Sequence, residues 1–267
     1  MNTKSLFAVK GFFHYYKEMI LTSKNNPLVK ETAALKEKKA RKELGLFLVE
    51  GYKMALECQK SKLEIERVFV AESYRGEIPA CNEAPVYVSD DVFRFLSDEK
   101  SPQGVLCRVR IPDTTLRSPQ GKCLLLDGVA DPGNVGTILR TANAAGYNEV
   151  YMTQECADPF SPKCVRASMS GVFFTQIYRG ERAEILSVLG DVPVLVADMA
   201  GANVFKFAPP KQFALVIGNE ANGVSDEVCA RATHTIKIPM RDTQESLNAA
   251  ISAGIIMYVL QQDEFNK

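Results

Sequence analysis

Histidine is scarce: His14 and His234 are the only two in 267 residues, and neither falls in a motif. That disfavours a histidine-based triad and a histidine general base. Cysteine occurs seven times (Cys58, Cys81, Cys107, Cys123, Cys156, Cys164 and Cys229) but never as a Cys-x-x-Cys pair. An odd number at that spacing fits neither a disulfide framework nor a zinc site. Buried or incidental thiols in a reducing cytoplasm are expected, and no metal. Long apolar runs are missing too. The uncharged stretch between Glu245 and Asp263 has an apolar centre of about a dozen residues, against the roughly 20 that a membrane span needs. No membrane span or membrane partner is expected. The opening residues set Lys4, Lys10 and Lys17 among Phe7, Phe12, Phe13, Tyr15 and Tyr16. They lack an apolar h-region and a cleavage site, so a secretory signal is not expected. Met19 begins a more conventional opening, and residues 1–18 read as an upstream extension, with 1–23 lying before the first domain. Gly-x-Gly-x-x-Gly is absent after the strands, which discounts a dinucleotide-binding oxidoreductase.

An excess of one charge is also lacking: lysine plus arginine and aspartate plus glutamate number 32 each. With 46% hydrophobic and 24% charged residues, the chain reads as globular, long enough for two domains with a sizeable core. The balance hides an asymmetry. Residues 1–119 hold 20 basic and 16 acidic side chains, a net of +4, and residues 120–267 hold 12 and 16, a net of −4. Residues 1–62 alone hold 13 against 6, a net of +7. The densest part contains Lys36, Lys38, Lys39, Arg41 and Lys42. Such a run suits a phosphate backbone. Taken alone, it suits a solvated helix face better, with Glu37–Arg41 and Lys39–Glu43 as i,i+4 pairs.

The first half alternates a basic helix over about 27–43, strands at 46–50, 68–70, 86–88 and 104–109, and a helix around 51–60. This predicts an α/β unit of about 90 residues. A Pro/Ser/Thr-containing connector at 111–121 marks a boundary, giving domains at 24–115 and 120–267. In the second half, strands are predicted at 123–127, 149–153, 173–178, 194–197, 213–217 and 235–238, with helices at 134–145, 163–170, 181–189, 225–231 and 247–260. Continuous apolar runs such as Leu124-Leu125-Leu126 and Leu215-Val216-Ile217 suit parallel strands covered on both faces. Ligands of such sheets sit beyond the carboxyl ends of the strands.

Three unusual segments follow such strands. The first runs Asp127-Gly128-Val129-Ala130-Asp131-Pro132-Gly133-Asn134 into a helix with Val135, Ile138, Leu139, Ala142 and Ala145 as its apolar stripe. Arg140 lies off that stripe, so the core does not require it; Asn134 reads locally as an N-cap. The second is Gly218-Asn219-Glu220-Ala221-Asn222-Gly223-Val224-Ser225. Gly218 allows close backbone approach, Asn222-Gly223 is a turn pair, and Ser225 can cap a helix, which leaves Glu220 unexplained. The third is Ile238-Pro239-Met240-Arg241-Asp242-Thr243-Gln244-Glu245-Ser246-Leu247-Asn248. Ser246 and Asn248 stand at a helix start, where free N–H groups gather.

In this order the three segments resemble the SpoU family of RNA ribose 2′-O-methyltransferases, of the SPOUT group with a deep trefoil knot. Residues 131–142, 218–225 and 238–248 match its three motifs. Asn26-Pro27-Leu28-Val29-Lys30, the basic run, Leu46–Gly51 and Pro102-Gln103-Gly104-Val105 resemble its L30e-like RNA-binding domain, so the likeness covers about residues 24–260. Asp242 stands where the family usually has glycine. The resemblance implies an α/β fold with a C-terminal knotted parallel-sheet domain, and S-adenosylmethionine as cofactor. It implies Arg140 as the catalytic arginine, with Asn134, Glu220, Ser246 and Asn248 ordering the site. Cofactor contacts are expected from Ala197, Asp198, Met199, Gly218, Asn219, Ile238, Met240 and Leu247. RNA contacts are expected from Lys36, Lys38, Lys39, Arg41 and Lys42. The RNA is expected to be ribosomal rather than transfer RNA, and the enzyme cytoplasmic. The alternatives are a tRNA enzyme and a catalytically weak, ribosome-associated RNA-binding factor of the same fold. A helix at 247–260 with Leu247, Ile251, Ile255, Met257, Tyr258 and Val259 on more than one face is expected in a large core or a subunit interface, and the resemblance implies a homodimer through the C-terminal domain.

Overall fold

The computed structural model describes residues 20–265; the expectations for residues 1–18, His14 among them, lie outside these. The chain divides into two units, Met1–Ile111 and Pro112–Lys267.

The first unit holds α1 (Pro27–Ala34), α2 (Lys38–Leu44), β1 (Leu46–Glu50), α3 (Tyr52–Lys60), β2 (Ile65–Ala71), β3 (Val86–Val88), α4 (Asp90–Leu96) and β4 (Val105–Arg110). Its sheet has the order β1-β4-β2-β3. β4 runs antiparallel to both β1 and β2, and β3 runs parallel to β2. Val29, Leu48, Phe69, Val92 and Leu106 meet in its core. The single helix expected over 27–43 is two helices. Leu35 is fully buried between them, and the Arg41 guanidinium donates to the carbonyls of Leu35 and Lys36 at 2.7 Å each. These are acceptors that the end of α1 leaves open. Helix α4 was not expected, although Ser89 caps it with Asp90 and Asp91 in its first turn.

The second unit holds β5 (Cys123–Asp127), α5 (Pro132–Ala144), β6 (Glu149–Thr153), α6 (Pro162–Ser168), α7 (Gly171–Phe174), β7 (Gln176–Gly180), α8 (Arg182–Leu189), β8 (Val194–Asn203), β9 (Ala214–Gly218), α9 (Asp226–Ala230), β10 (His234–Lys237), α10 (Ala249–Leu260) and α11 (Gln262–Phe265). The sheet order is β10-β8-β9-β5-β6-β7, and every pairing is parallel. Leu124, Leu125 and Leu126 are fully buried, as central strands covered on both faces require. The strand expected from residue 173 starts only at Gln176, because Val172 and Phe173 are buried from the short helix α7 instead. A short apolar run does not by itself separate helix from strand. Helix α10 buries Ala250, Ala253, Ile256, Met257 and Leu260, and leaves Ile251 and Tyr258 exposed. Among the described residues no helix is long and apolar enough to cross a membrane. All seven cysteines are free thiols, five of them buried.

Candidate active site

Sheet register brings the first two segments together: Asp127, the last residue of β5, lies opposite Gly218, the last of β9. Gly128 then turns the chain at φ +74°, a left-handed conformation that glycine adopts without a Cβ clash. Its N–H donates to Thr153 Oγ1 at 3.0 Å, and its carbonyl accepts from Asn219 Nδ2 at 2.7 Å. Helix α5 is capped by Asp131, which accepts from the Asn134 N–H at 2.9 Å, with Pro132 at its first position. Asn134 is therefore not the cap, and its amide is left for other use. In the second segment, Asn219 and Gly223 exchange backbone hydrogen bonds of 2.8 and 2.9 Å. Gly218 packs so closely on Gly223 that a Cβ would collide with the Gly223 carbonyl group. Ser225 precedes α9, but its hydroxyl makes no capping bond.

The freed amide of Asn134 joins all three segments. Glu220 Oε1 accepts from Asn134 Nδ2 at 2.8 Å and from the Asp131 N–H at 3.2 Å, and Oε2 accepts from the Ala130 N–H at 3.1 Å. Asn134 Oδ1 accepts in turn from Asn248 Nδ2 at 2.9 Å. Asn248 Oδ1 accepts from the N–H groups of Ala250 and Ile251 at 2.9 and 3.2 Å, capping α10. A carboxylate only accepts and helix N–H groups only donate, so the two ends of this relay fix the orientation of both amides. Burial works to raise the Glu220 pKa. Hydrogen bonds from Asn134, the Ala130 N–H, its own N–H and the Asp131 N–H outweigh that and hold it below the ordinary glutamate value.

Beside the relay opens a cavity of about 560 Å³. Ala197, Asp198, Met199, Gly218, Asn219, Ile238, Met240 and Leu247 all line it, as do Glu220, Ser246 and Asn248. The sequence reading missed Lys237, Glu245, Ser252 and Ile256 on the same wall. The signal for the last two was the i,i+4 spacing from Asn248 along α10. Asp242 is exposed and does not line the cavity; it sits in a turn where the Gln244 N–H donates to the Arg241 carbonyl at 3.0 Å.

Arg140 and Asn134 do not line the cavity. Asn134 is bonded to two residues that do. Arg140 lies on the exposed side of α5, and its guanidinium makes no hydrogen bond or ion pair among the described residues. Its six-residue separation from Asn134 is about 9 Å along the axis, and helical side chains lean back towards the N-terminus.

The basic run does not stay together as one face. Lys38, Lys39 and Lys42 are exposed, and Lys39 lies 3.9 Å from Glu43. Arg41, expected at RNA, is instead 3% exposed and holds the end of α1. Lys36 is half-buried and donates to the carbonyls of Phe95 and Ser97 at 2.7 Å each.

Residues 121–258 match the SpoU rRNA Methylase family. The chain belongs to the SpoU family. The SpoU match contains the whole cavity and relay, and residues 26–107 match the MRM3-like substrate binding domain. Among SpoU relatives, the 23S rRNA (guanosine(2553)-2′-O)-methyltransferase RlmP of Bacillus subtilis is 31% identical over 90% of this chain and 98% of the relative. A 23S rRNA (uridine(2479)-2′-O)-methyltransferase of Streptomyces viridochromogenes is 31% identical over 72% of this chain and 66% of its own length. The AdoMet-bound rRNA methyltransferase of Sinorhizobium meliloti has the same fold, with a TM-score of 0.82 at 29% identity over 91% of this chain and 97% of that one.

Proposed function

We propose that the protein methylates a ribose 2′-hydroxyl of large-subunit ribosomal RNA, with S-adenosylmethionine as donor. The observation that carries this reading is the Glu220–Asn134–Asn248 relay, which joins all three segments at the edge of one cavity. The cavity suits the donor. Its size falls in the range of small-molecule sites, Ile238, Met240 and Leu247 offer apolar wall, and Asp198, Glu220 and Glu245 outnumber Lys237 in charge. That balance favours a sulfonium cation. The bound donor supplies an electrophilic methyl group on positively charged sulfur.

The chain supplies orientation, exclusion of water and stabilisation of the developing oxyanion. A guanidinium is effectively always protonated, so Arg140 is a poor base. Its free guanidinium suits a clamp on the RNA phosphate and a donor to the 2′-oxygen. Glu220 and Asn134 hold the first two loops in register, while Ser246 and Asn248 hydrogen-bond the ribose. The target explains the choice of RNA over DNA, because only RNA carries the hydroxyl.

Residues 24–115 serve as the L30e-like substrate-binding domain, with Lys38, Lys39 and Lys42 as phosphate contacts, and 120–267 as a trefoil-knotted methyltransferase domain. The exposed Ile251 and Tyr258 of α10 support a two-fold homodimer through that helix, working in the cytoplasm. The test titrates S-adenosylmethionine by calorimetry and then compares labelled-methyl transfer to large-subunit rRNA and to tRNA. Saturable binding with transfer to rRNA is expected. Transfer to tRNA alone refutes the substrate class, and binding without any transfer refutes the enzyme.

A further inference from the structure

Asp127 takes no part in the relay, yet its side chain is sequestered at 1% exposure at the end of β5. A buried carboxylate needs partners, and its two oxygens divide between two. Oδ1 accepts from Arg182 Nε, at the start of α8, at 2.8 Å, and Oδ2 accepts from the Ser225 backbone N–H at 2.8 Å. Arg182 also faces Glu155 at 3.6 Å. Ser225 is where the second loop leaves for α9. Its hydroxyl is buried without a partner among the described residues, so the N–H bond to Asp127 anchors this end. The other end is anchored by the next residue, Gly128, whose carbonyl accepts from Asn219. Between the anchors lie Glu220, Ala221 and Gly223, all on the cavity wall. We infer that Asp127 is a positioning residue for Glu220, holding the 219–225 loop against β5 while Arg182 aims its carboxylate.

Asp127→Asn leaves one acceptor where two donors converge, so the new amide must face either Arg182 or Ser225 donor to donor. Adding Arg182→Gln places an acceptor where Nε stood. The asparagine can then donate to it and return its oxygen to Ser225. The single variant is expected to speed hydrogen exchange at the amides of 219–225 while β9 stays protected. It is also expected to lower kcat and raise KM for S-adenosylmethionine, costing kcat/KM on the order of 10- to 100-fold, with RNA affinity unchanged. The double variant is expected to recover most of both losses. Unchanged loop exchange, exchange raised equally across the unit, or a double variant no better than the single overturns the inference. Should Asp127→Asn not fold, the double variant must fold with wild-type loop protection, and its failure also refutes the assignment. The kinetic arm rests on the methyltransfer reading. Hydrogen exchange does not, so a loop-confined change in a protein that transfers no methyl group strikes only that reading.

Discussion

Asn134 and Asn248 stand 114 positions apart in the chain and touch at 2.9 Å. Lys36 and Arg41 stand in one short run and end on different duties. Arg41 is buried against the end of α1, and Lys36 is bound to two carbonyls beside α4. Lys38, Lys39 and Lys42 alone keep their side chains in solvent. The difference lies in what fixes a side chain. Parallel register fixes which strand ends are neighbours, and hence which polar groups must pair. A basic helical run fixes only a charge density; packing against the next element then decides which charges remain available.

The largest effect that can test this contrast is on turnover. Arg140→Ala should leave folding and S-adenosylmethionine binding nearly unchanged, since the side chain is exposed and unpaired, and should lower kcat by roughly 10²–10³, the scale for losing an oxyanion donor. Single-turnover methyl transfer measures this, and a wild-type rate removes Arg140 from the chemistry. Asn134→Asp comes next. It sets a second carboxylate against Glu220 where an amide donated at 2.8 Å, and kcat/KM should fall on the order of 10- to 100-fold, the scale for misplaced catalytic groups. Steady-state kinetics with an unaltered kcat/KM would break the link between relay and function.

In the first unit, reversing Lys38, Lys39 and Lys42 to glutamate should weaken RNA binding and lower its salt slope by about 2–3, at close to one per phosphate contact. Donor affinity should not move. Arg41→Ala should leave the salt slope alone and instead cost about 1–3 kcal/mol of stability, for buried acceptors left without their donor; urea titration separates the two. The smallest effect is on pH dependence. Because the Glu220 pKa is held down in the folded state, its contribution to stability is present above the unfolded pKa and is lost as pH falls through the lower folded value. Donor binding titrated downwards should therefore persist below the ordinary glutamate value of 4.5, and an acid limb above that value would mean that the hydrogen bonds do not stabilise the carboxylate.

The parallel sheet was legible because Leu124–Leu126 and Leu215–Ile217 are apolar on both faces, a pattern set by burial alone. The cavity residues were legible through the resemblance. Gly218, Asn219, Ile238, Met240 and Leu247 fall at or beyond a strand end or on the approach to α10, whereas Ala197, Asp198 and Met199 lie inside β8, which runs on past the expected end at 197. What escaped was set by contacts distant in sequence. The break after α1 rests on the burial of Leu35 in a core shared with Phe69 and Leu106, far along the chain; the Arg41 bonds that close it reach back only five and six residues. Asp127 could be read as a strand end, but its partners Arg182 and Ser225 lie 55 and 98 positions away and follow only from strand order. Helix α4 was the avoidable omission, since Ser89-Asp90-Asp91 ahead of Val92, Phe93 and Leu96 is a local start signal.

The reaction proposed for the three joined segments is transfer of a methyl group to a ribose 2′-oxygen. Its most direct measurement is nucleoside mass spectrometry of large-subunit rRNA after incubation with the full-length protein and methyl-labelled S-adenosylmethionine, with Arg140→Ala in parallel. The expected result is label confined to a 2′-O-methylnucleoside and largely lost in the variant; label on a base, or undiminished transfer by Arg140→Ala, would contradict it.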